Sequence, residues 1–207
     1  MINMLDLKNA LFDGGVVGAG GAGFPNHAKL SDKADTVILN CAECEPLMKV
    51  DRQLMVEHTN EILSGMQMLV EAMGAKEGIL AVKRSYTASI EAVNSIIGDY
   101  GKLRLHILPD IYPAGDEVVL IYETTKRVVP QGKIPIMVGC VVVNVETVLN
   151  TYRKVTSGTN VVTKFLTVAG LVNKPLTVEV PVGITVKELI EMAGVTSTDE
   201  YEILMGG

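Results

Sequence analysis

Between Gly14 and Lys29 the chain reads GGVVGAGGAGFPNHAK, six glycines ahead of a Phe-Pro pair and a lysine. Glycine has no Cβ and tolerates positive φ. A run of glycines therefore lets successive main-chain N–H groups turn towards one anion while the backbone comes close to a ligand. Phe24 and Pro25 stiffen the far end, Phe24 offers a face on which a planar ring can stack, and Lys29 adds a cation. These residue types suit a ligand that is both planar and phosphorylated, a nucleotide or a flavin; a mobile glycine turn with Phe24 as a core anchor is the plainer alternative. Gly18, Gly20 and Gly23 also satisfy G-x-G-x-x-G, but that dinucleotide fingerprint demands a strand before it and a helix after it. Upstream, Leu5, Leu7, Leu11 and Phe12 fall at helical spacing, and downstream Pro25 and Asn26 interrupt a helix opening at the glycines. An ordinary Rossmann dehydrogenase is thereby disfavoured.

Three further stretches carry polar groups where chemistry could use them. Thr36 to Asn40 reads as a buried strand and runs into Asn40-Cys-Ala-Glu-Cys-Glu-Pro. Glu43 and Glu45 thus follow a strand's carboxyl end, where open α/β sheets bind ligands; a solvated acidic loop is an equal alternative. Tyr112-Pro-Ala-Gly-Asp-Glu117 leaves another strand and opens a helix, and its acidic residues either serve a ligand or only complement the helix dipole. In Val141 to Val148, Asn144 and Thr147 are polar residues set among apolar ones, and they either meet a ligand or cap a helix. A capping box would place Glu or Gln, not Thr, at the third position. Cys41-x-x-Cys44 could be redox-active or half of a zinc site, but no second Cys or His pair at matching spacing exists, so free thiols are the favoured reading. His106 lies on a strand and is assigned no role.

The elements that must position these loops follow from periodicity. The chain has 207 residues, 48% of them apolar, and a mean hydropathy of +0.31, enough to bury a core. The pattern predicts a helix from Asp51 to Gly74 and strands at 78–83 and 103–108. Further helices are expected over Thr87 to Tyr100, from Glu117, and after Asn144 to about Val155. Strands alternating with helices give a parallel sheet with right-handed crossovers. After a small polar linker at 156–160, strands at 164–170 and 176–181, a helix over Thr185 to Ala193 and a strand over Tyr201 to Met205 suggest a β-grasp module. The expected fold is α/β, a parallel-sheet domain over 1–155 and a partial β-grasp over 160–207.

Composition excludes some functions. A net charge of −6 offers no broad basic surface, so nucleic acid is not an expected partner. No apolar run reaches the roughly 18 residues that span a bilayer, and no basic start with an apolar segment marks a leader. A soluble, cytoplasmic protein is expected. Three cysteines, an odd number, argue against a secreted disulfide framework.

Taken together and in order, GAGGAGFPNHAKL, NCAECEPLMKVDRQLM, YPAGDEVVLIYE and NVETV resemble the family of the flavin-bearing, NADH-oxidising subunit of respiratory complex I. The AECEP and YPAGDE forms are most similar to the branch that holds the C subunit of the Rnf electron-transport complex and the cobalamin reductase of propanediol-utilising microcompartments. The resemblance implies FMN under the glycine loop, contacted by Gly18, Gly20, Gly21, Gly23 and Lys29. Asn40, Glu43, Tyr112, Gly115, Asn144 and Thr147 would complete the FMN site. Phe24, Glu45 and Glu117 match positions that receive NADH. Ala19 stands where the complex I pattern has an arginine and Ala42 where it has an aspartate, removing a phosphate-binding cation and a polar flavin partner.

The function implied is that of an NADH-to-FMN entry module, with hydride passing between cofactors and no catalytic side chain. A scaffold or interaction module with weak or lost cofactor binding is the alternative. Fuller members of the family continue into a ferredoxin-like segment whose cysteines hold iron–sulfur clusters. With Cys41, Cys44 and Cys140 alone, this chain cannot build a four-cysteine cluster, so other electron-transfer subunits or such a segment are the implied partners. The resemblance also allows a peripheral place at an inner membrane or in a microcompartment.

Overall fold

A computed structural model describes residues 2–194 and 201–206. It divides into two compact units, one comprising residues 1–44 and 51–160, the other residues 45–50 and 161–207. The first is built on four parallel strands, β1 (Thr36–Cys41), β2 (Glu77–Lys83), β3 (Leu103–Leu108) and β4 (Cys140–Asn144), in the order β3-β2-β1-β4. The parallel α/β sheet expected from the alternating pattern is what forms. The near-continuous apolar runs of β1, β2 and β4 belong to strands covered on both faces.

In chain order the helices of this unit are α1 (Met4–Asp13), α2 (Asn26–Lys29), α3 (Val50–Glu57), α4 (Thr59–Ala72), α5 (Thr87–Ile96), α6 (Glu117–Thr125) and α7 (Val145–Ser157). Leu120 and Ile121 of α6 join Ile38, Ile79, Ala81 and Val142 in one core cluster. Helix α4 packs on α7 as well as on β1 and β2. Gly65 makes the α4–α7 approach possible, because a Cβ there would lie 2.8 Å from the Val148 carbonyl oxygen. Side chains cap two of these helices: Asn3 accepts the Asp6 N–H at the start of α1, and Asp116 accepts those of Val118 and Val119 at the start of α6.

The helical expectations are corrected in places. The single helix from Asp51 to Gly74 is two helices broken at His58. At His58 the backbone turns to φ −124° and ψ 28°, outside the helical region, and the Thr59 hydroxyl donates to the Met55 carbonyl oxygen at 2.6 Å across the break. The first of the two helices, α3, starts one residue earlier than expected, with Asp51 in its first turn. Downstream of the glycines, one short turn of helix, α2, does open directly after Pro25.

The second unit holds an antiparallel pair, β5 (Thr163–Val168) with β6 (Leu176–Pro181), followed by α8 (Val186–Ala193). Thr185 and Glu188 form a reciprocal capping box at the start of α8. Residues 45–50 belong to this unit, and the Lys49 N–H donates to Thr167 Oγ1 at 3.2 Å. The strand expected over Tyr201 to Met205 does not form. Those residues carry no ladder partner among the described residues, and Leu204 and Met205 are 90% and 80% exposed. Their composition is strand-like, but a strand exists only through hydrogen bonds to a neighbour. Residues 195–200 of the predicted module lie outside the described residues. No described helix is long and apolar enough to cross a membrane.

Candidate functional site

From β1 the chain builds outward to β2 and β3, then crosses back to add β4 on the other side of β1. The crevice at the carboxyl ends of β1 and β4 is therefore a topological switch point, where open α/β sheets bind ligands. Asn40 ends the part of β1 that pairs with β4 and lies in register with Asn144. Sequence reasoning proposed both residues separately, and the sheet makes them neighbours.

The glycine loop sits against this edge. A short antiparallel neck closes it: Val17 bridges Pro25, Gly18 N–H donates to the Phe24 carbonyl oxygen at 2.7 Å, and Asn26 N–H donates to that of Val16 at 3.0 Å. Ala19 N–H donates to Thr147 Oγ1 of α7 at 2.9 Å, fixing the first limb. A Cβ on Gly20 would lie 2.7 Å from Asn144 Nδ2, so any larger residue there would displace the Asn144 amide. Gly21 and Gly23 adopt φ of +114° and +61°, with open space where a Cβ would project. The main-chain N–H groups of Gly20 to Phe24 have no partner among the described residues. Neither has the half-buried side-chain amide of Asn144, which holds the N-cap position of α7 without capping it.

Two other loops close the crevice. Asn40 uses both ends of its amide, Nδ2 donating to the Gly115 carbonyl oxygen at 2.9 Å and Oδ1 accepting the Ala42 N–H at 3.0 Å. Gly115 N–H donates to Cys44 Sγ at 3.2 Å. A Cβ on Gly115 would sit 2.1 Å from the Ala42 carbonyl oxygen, so the two loops interlock only through glycine. Glu43 is buried, and its carboxylate accepts the Asp51 N–H at 2.9 Å and Arg52 Nε at 3.2 Å. Lys83 Nζ donates to the Glu43 carbonyl oxygen at 2.6 Å, and the Arg52 guanidinium lies over the Tyr86 ring, 4.3 Å from its centroid. Burial raises the Tyr86 hydroxyl pKa above its ordinary value. Glu43 thus anchors the acidic loop to α3, and its carboxylate is engaged there.

At the rim, Phe24 is 49% exposed, which removes the core-anchor alternative. Lys29 Nζ donates to the Val142 carbonyl oxygen at 3.1 Å, lies 3.7 Å from Glu117 Oε1 and sits 5.9 Å from the Phe24 ring centroid. One cation therefore ties the glycine-loop helix to β4 and α6. Tyr112 is 80% exposed. Glu45 belongs to the second unit.

The cysteines are free thiols. Burial, with the Asp51 and Glu43 charges adding to it, pushes the Cys41 thiol well above its ordinary pKa and keeps it protonated, unlike a reactive thiolate. Among the described residues, no group of three or more His, Cys, Asp or Glu side chains could hold a metal.

Five adjacent unpaired N–H groups, an unpaired amide and a helix N-terminus are the donor set a phosphate requires. The open space above Gly21 and Gly23 leaves room for a flat ring. FMN fits these residues. Sequence reasoning missed Arg52, Tyr86 and Lys83, which brace the acidic loop, and Asn26 and Thr151, which are buried beneath the glycine loop. Only the proximity of Asn26 and Arg52 to the singled-out motifs could have pointed to any of them.

Residues 11–153 match the family described as the Nuo51 FMN-binding domain, and residues 165–202 match the SLBB domain. The chain is 46% identical over 193 residues to the cobalamin reductase PduS of Citrobacter freundii, covering 93% of this chain and 42% of that protein. It is 33% identical over 206 residues to the C subunit of the Na(+)-translocating ferredoxin:NAD(+) oxidoreductase complex of Acetobacterium woodii, covering 97% and 46%. Among solved structures, a chain of an NAD+-reducing [NiFe]-hydrogenase in the air-oxidized state superposes with a TM-score of 0.80 at 27% identity, covering 95% of this chain and 40% of that one. The chain thus spans less than half the length of these proteins.

Proposed function

This chain belongs to the Nuo51 FMN-binding domain family, and from that premise we propose that it is an NADH/FMN electron-transfer module, of the type found in cobalamin reductase or in the C subunit of ferredoxin:NAD(+) oxidoreductase complexes. The observation that carries the reading is the row of unpaired N–H groups from Gly20 to Phe24 beside the unpaired Asn144 amide, at the switch point between β1 and β4. When bound, FMN supplies the two-electron chemistry that accepts hydride from NADH.

The chain's own residues do the rest by binding and orienting. In this reading the glycine-loop N–H groups, the Asn144 amide and the start of α7 hold the phosphate. Gly18, Gly20, Gly21 and Gly23 give the ring a surface without side chains. Asn40 and Gly115 hold the neighbouring loops at a fixed spacing, Glu43 and Thr147 brace the loops from behind, and Tyr112 lines the open side. Phe24 offers the nicotinamide a stacking face, while Glu117 accepts hydrogen bonds from ribose hydroxyls or the carboxamide. Lys29 holds Glu117 and Phe24 to one cation. Onward delivery to one-electron carriers normally uses thiolate-held clusters, so we assign it to other electron-transfer subunits or an iron–sulfur segment, with a cytoplasmic or peripheral-membrane location.

The test is a fluorescence titration of the purified chain with FMN, followed by anaerobic mixing with NADH. Quenching to a stoichiometric end point, flavin absorption bands and bleaching by NADH are expected. A protein that stays colourless with excess FMN overturns the reading in favour of a scaffold. Phe24→Ala is expected to slow bleaching several-fold, about what one lost aromatic contact is worth, with FMN still bound. Equal rates would remove Phe24 from the NADH site.

A further inference from the structure

The two limbs of the glycine loop are held by two successive turns of one helix. On the first limb, Ala19 N–H donates to Thr147 Oγ1 at 2.9 Å, and the same hydroxyl faces the Val17 carbonyl oxygen at 3.4 Å. On the second limb, Asn26, the residue after Pro25, directs its Nδ2 at Thr151 Oγ1, 3.5 Å away. Thr151 in turn donates to the Thr147 carbonyl oxygen at 2.8 Å. Thr147 and Thr151 are four residues apart and share one face of α7. Asn26, Thr147 and Thr151 are each 1% exposed or less, so each hydrogen bond there replaces one that water cannot supply.

We infer that Thr151 and Asn26 are positioning residues for the glycine loop, clamping its second limb to α7 so that the N–H groups of Gly20 to Phe24 face a phosphoryl ligand already in place. Neither residue belongs to the ligand-facing set, and both act through the loop. The inference rests on the reading of the loop as the FMN site, but its first consequence concerns the free protein. The unpaired N–H groups lie between the two clamped limbs, and ordering a glycine-rich segment before binding removes entropy that the ligand would otherwise have to offset. Thr151 matters to that order because one hydroxyl both accepts from Asn26 and donates into the turn that carries Thr147.

The experiment compares Thr151→Val, which keeps the shape and removes the hydroxyl, with Thr151→Ser, which keeps the hydroxyl. Amide hydrogen exchange in the flavin-free protein reads the clamp, and FMN fluorescence quenching reads its use. In the valine variant the Gly18, Ala19 and Asn26 amides should exchange about tenfold faster, while those of Ile38 and Leu39 in β1 stay unchanged. FMN should bind about tenfold more weakly, one lost hydrogen bond in equilibrium terms. Serine should restore both. Unchanged loop exchange overturns the inference, as does equal loss of protection in β1, which would make Thr151 part of the general core. Faster loop exchange with unchanged FMN affinity also overturns it, because the clamp would not serve the ligand. If the parent protein takes up no FMN, the flavin reading fails, and the exchange comparison still decides whether the clamp exists.

Discussion

The two ends of the parallel sheet are built on opposite terms. At the amino end, Asp35 and Thr36 N–H groups both donate to the Gly139 carbonyl oxygen, and those of Lys76 and Glu77 donate to the Asp35 carbonyl oxygen. Arg127 grips the Asp35 carboxylate with both terminal nitrogens and donates to the Val138 carbonyl oxygen at 2.9 Å. The groups named there are answered from within the chain. At the carboxyl end, Asn40 and Gly115 hold two loops together and Thr147 ties the glycine loop to α7, yet the Gly20 to Phe24 N–H groups and the Asn144 amide are left unanswered among the described residues. An end that spends its polar groups internally holds the fold; an end that withholds them has donors to offer a ligand.

The comparison breaks most readily at the glycines. Gly115→Ala drives a methyl into the Ala42 carbonyl oxygen, a backbone atom with no room to yield. It should cost about 2–4 kcal/mol of stability in denaturant unfolding. Gly139→Ala at the other end meets the tip of the flexible Arg127 side chain at 3.1 Å and should cost about 1–2 kcal/mol, chiefly for a positive φ. A reversed order would mean that the interlock at the carboxyl end is looser than described.

Next in size is Asn144→Ala. Its amide has no partner among the described residues, so its removal should leave stability within about 0.5 kcal/mol. FMN affinity should fall about tenfold, one lost hydrogen bond. A clear loss of stability with unchanged affinity would assign Asn144 to the fold and erase the contrast between the two ends.

The smallest effect is expected from Arg127→Met. The pair is about one-third exposed on each side, so after solvent screening the loss should be about 1 kcal/mol, with FMN affinity unchanged. The Arg127 hydrogen bond, opposed by burial and aided by Thr36, lowers the Asp35 pKa. A carboxyl that titrates lower in the folded state than in the unfolded one contributes its full stability above about pH 4 and loses it as the pH falls through the lowered value. In Arg127→Met that part of the acid limb should flatten. An unaltered acid limb would remove Asp35 from the linkage.

The architecture of the first unit was legible in the sequence because its signals are local. Apolar runs of strand length alternating with apolar stripes at helical spacing define a parallel sheet, and the Gly, Pro and Asn clusters mark where its loops leave. The glycine loop could be recognised as a close-approach backbone for the same reason. One element departed from the pattern locally: the helix expected to run from Asp51 to Gly74 breaks at His58, whose backbone leaves the helical region. The Tyr201 to Met205 strand failed on the opposite ground, since residue preference cannot supply a partner.

By itself the sequence determined which residues could bind, because donor, acceptor, ring and charge are properties of residue types. Only the tertiary structure decided how each is used. Thr147 turns its hydroxyl to Ala19, Glu43 turns its carboxylate to Arg52 and α3, and Asn144 faces Gly20 with its amide unpaired. Glu45, two residues from Glu43, belongs to a different compact unit. Spacing along the chain carries none of this, because a polar side chain is committed by the partner that folding brings within about 3 Å, and Asn40 and Asn144 became neighbours only when β4 was added beside β1.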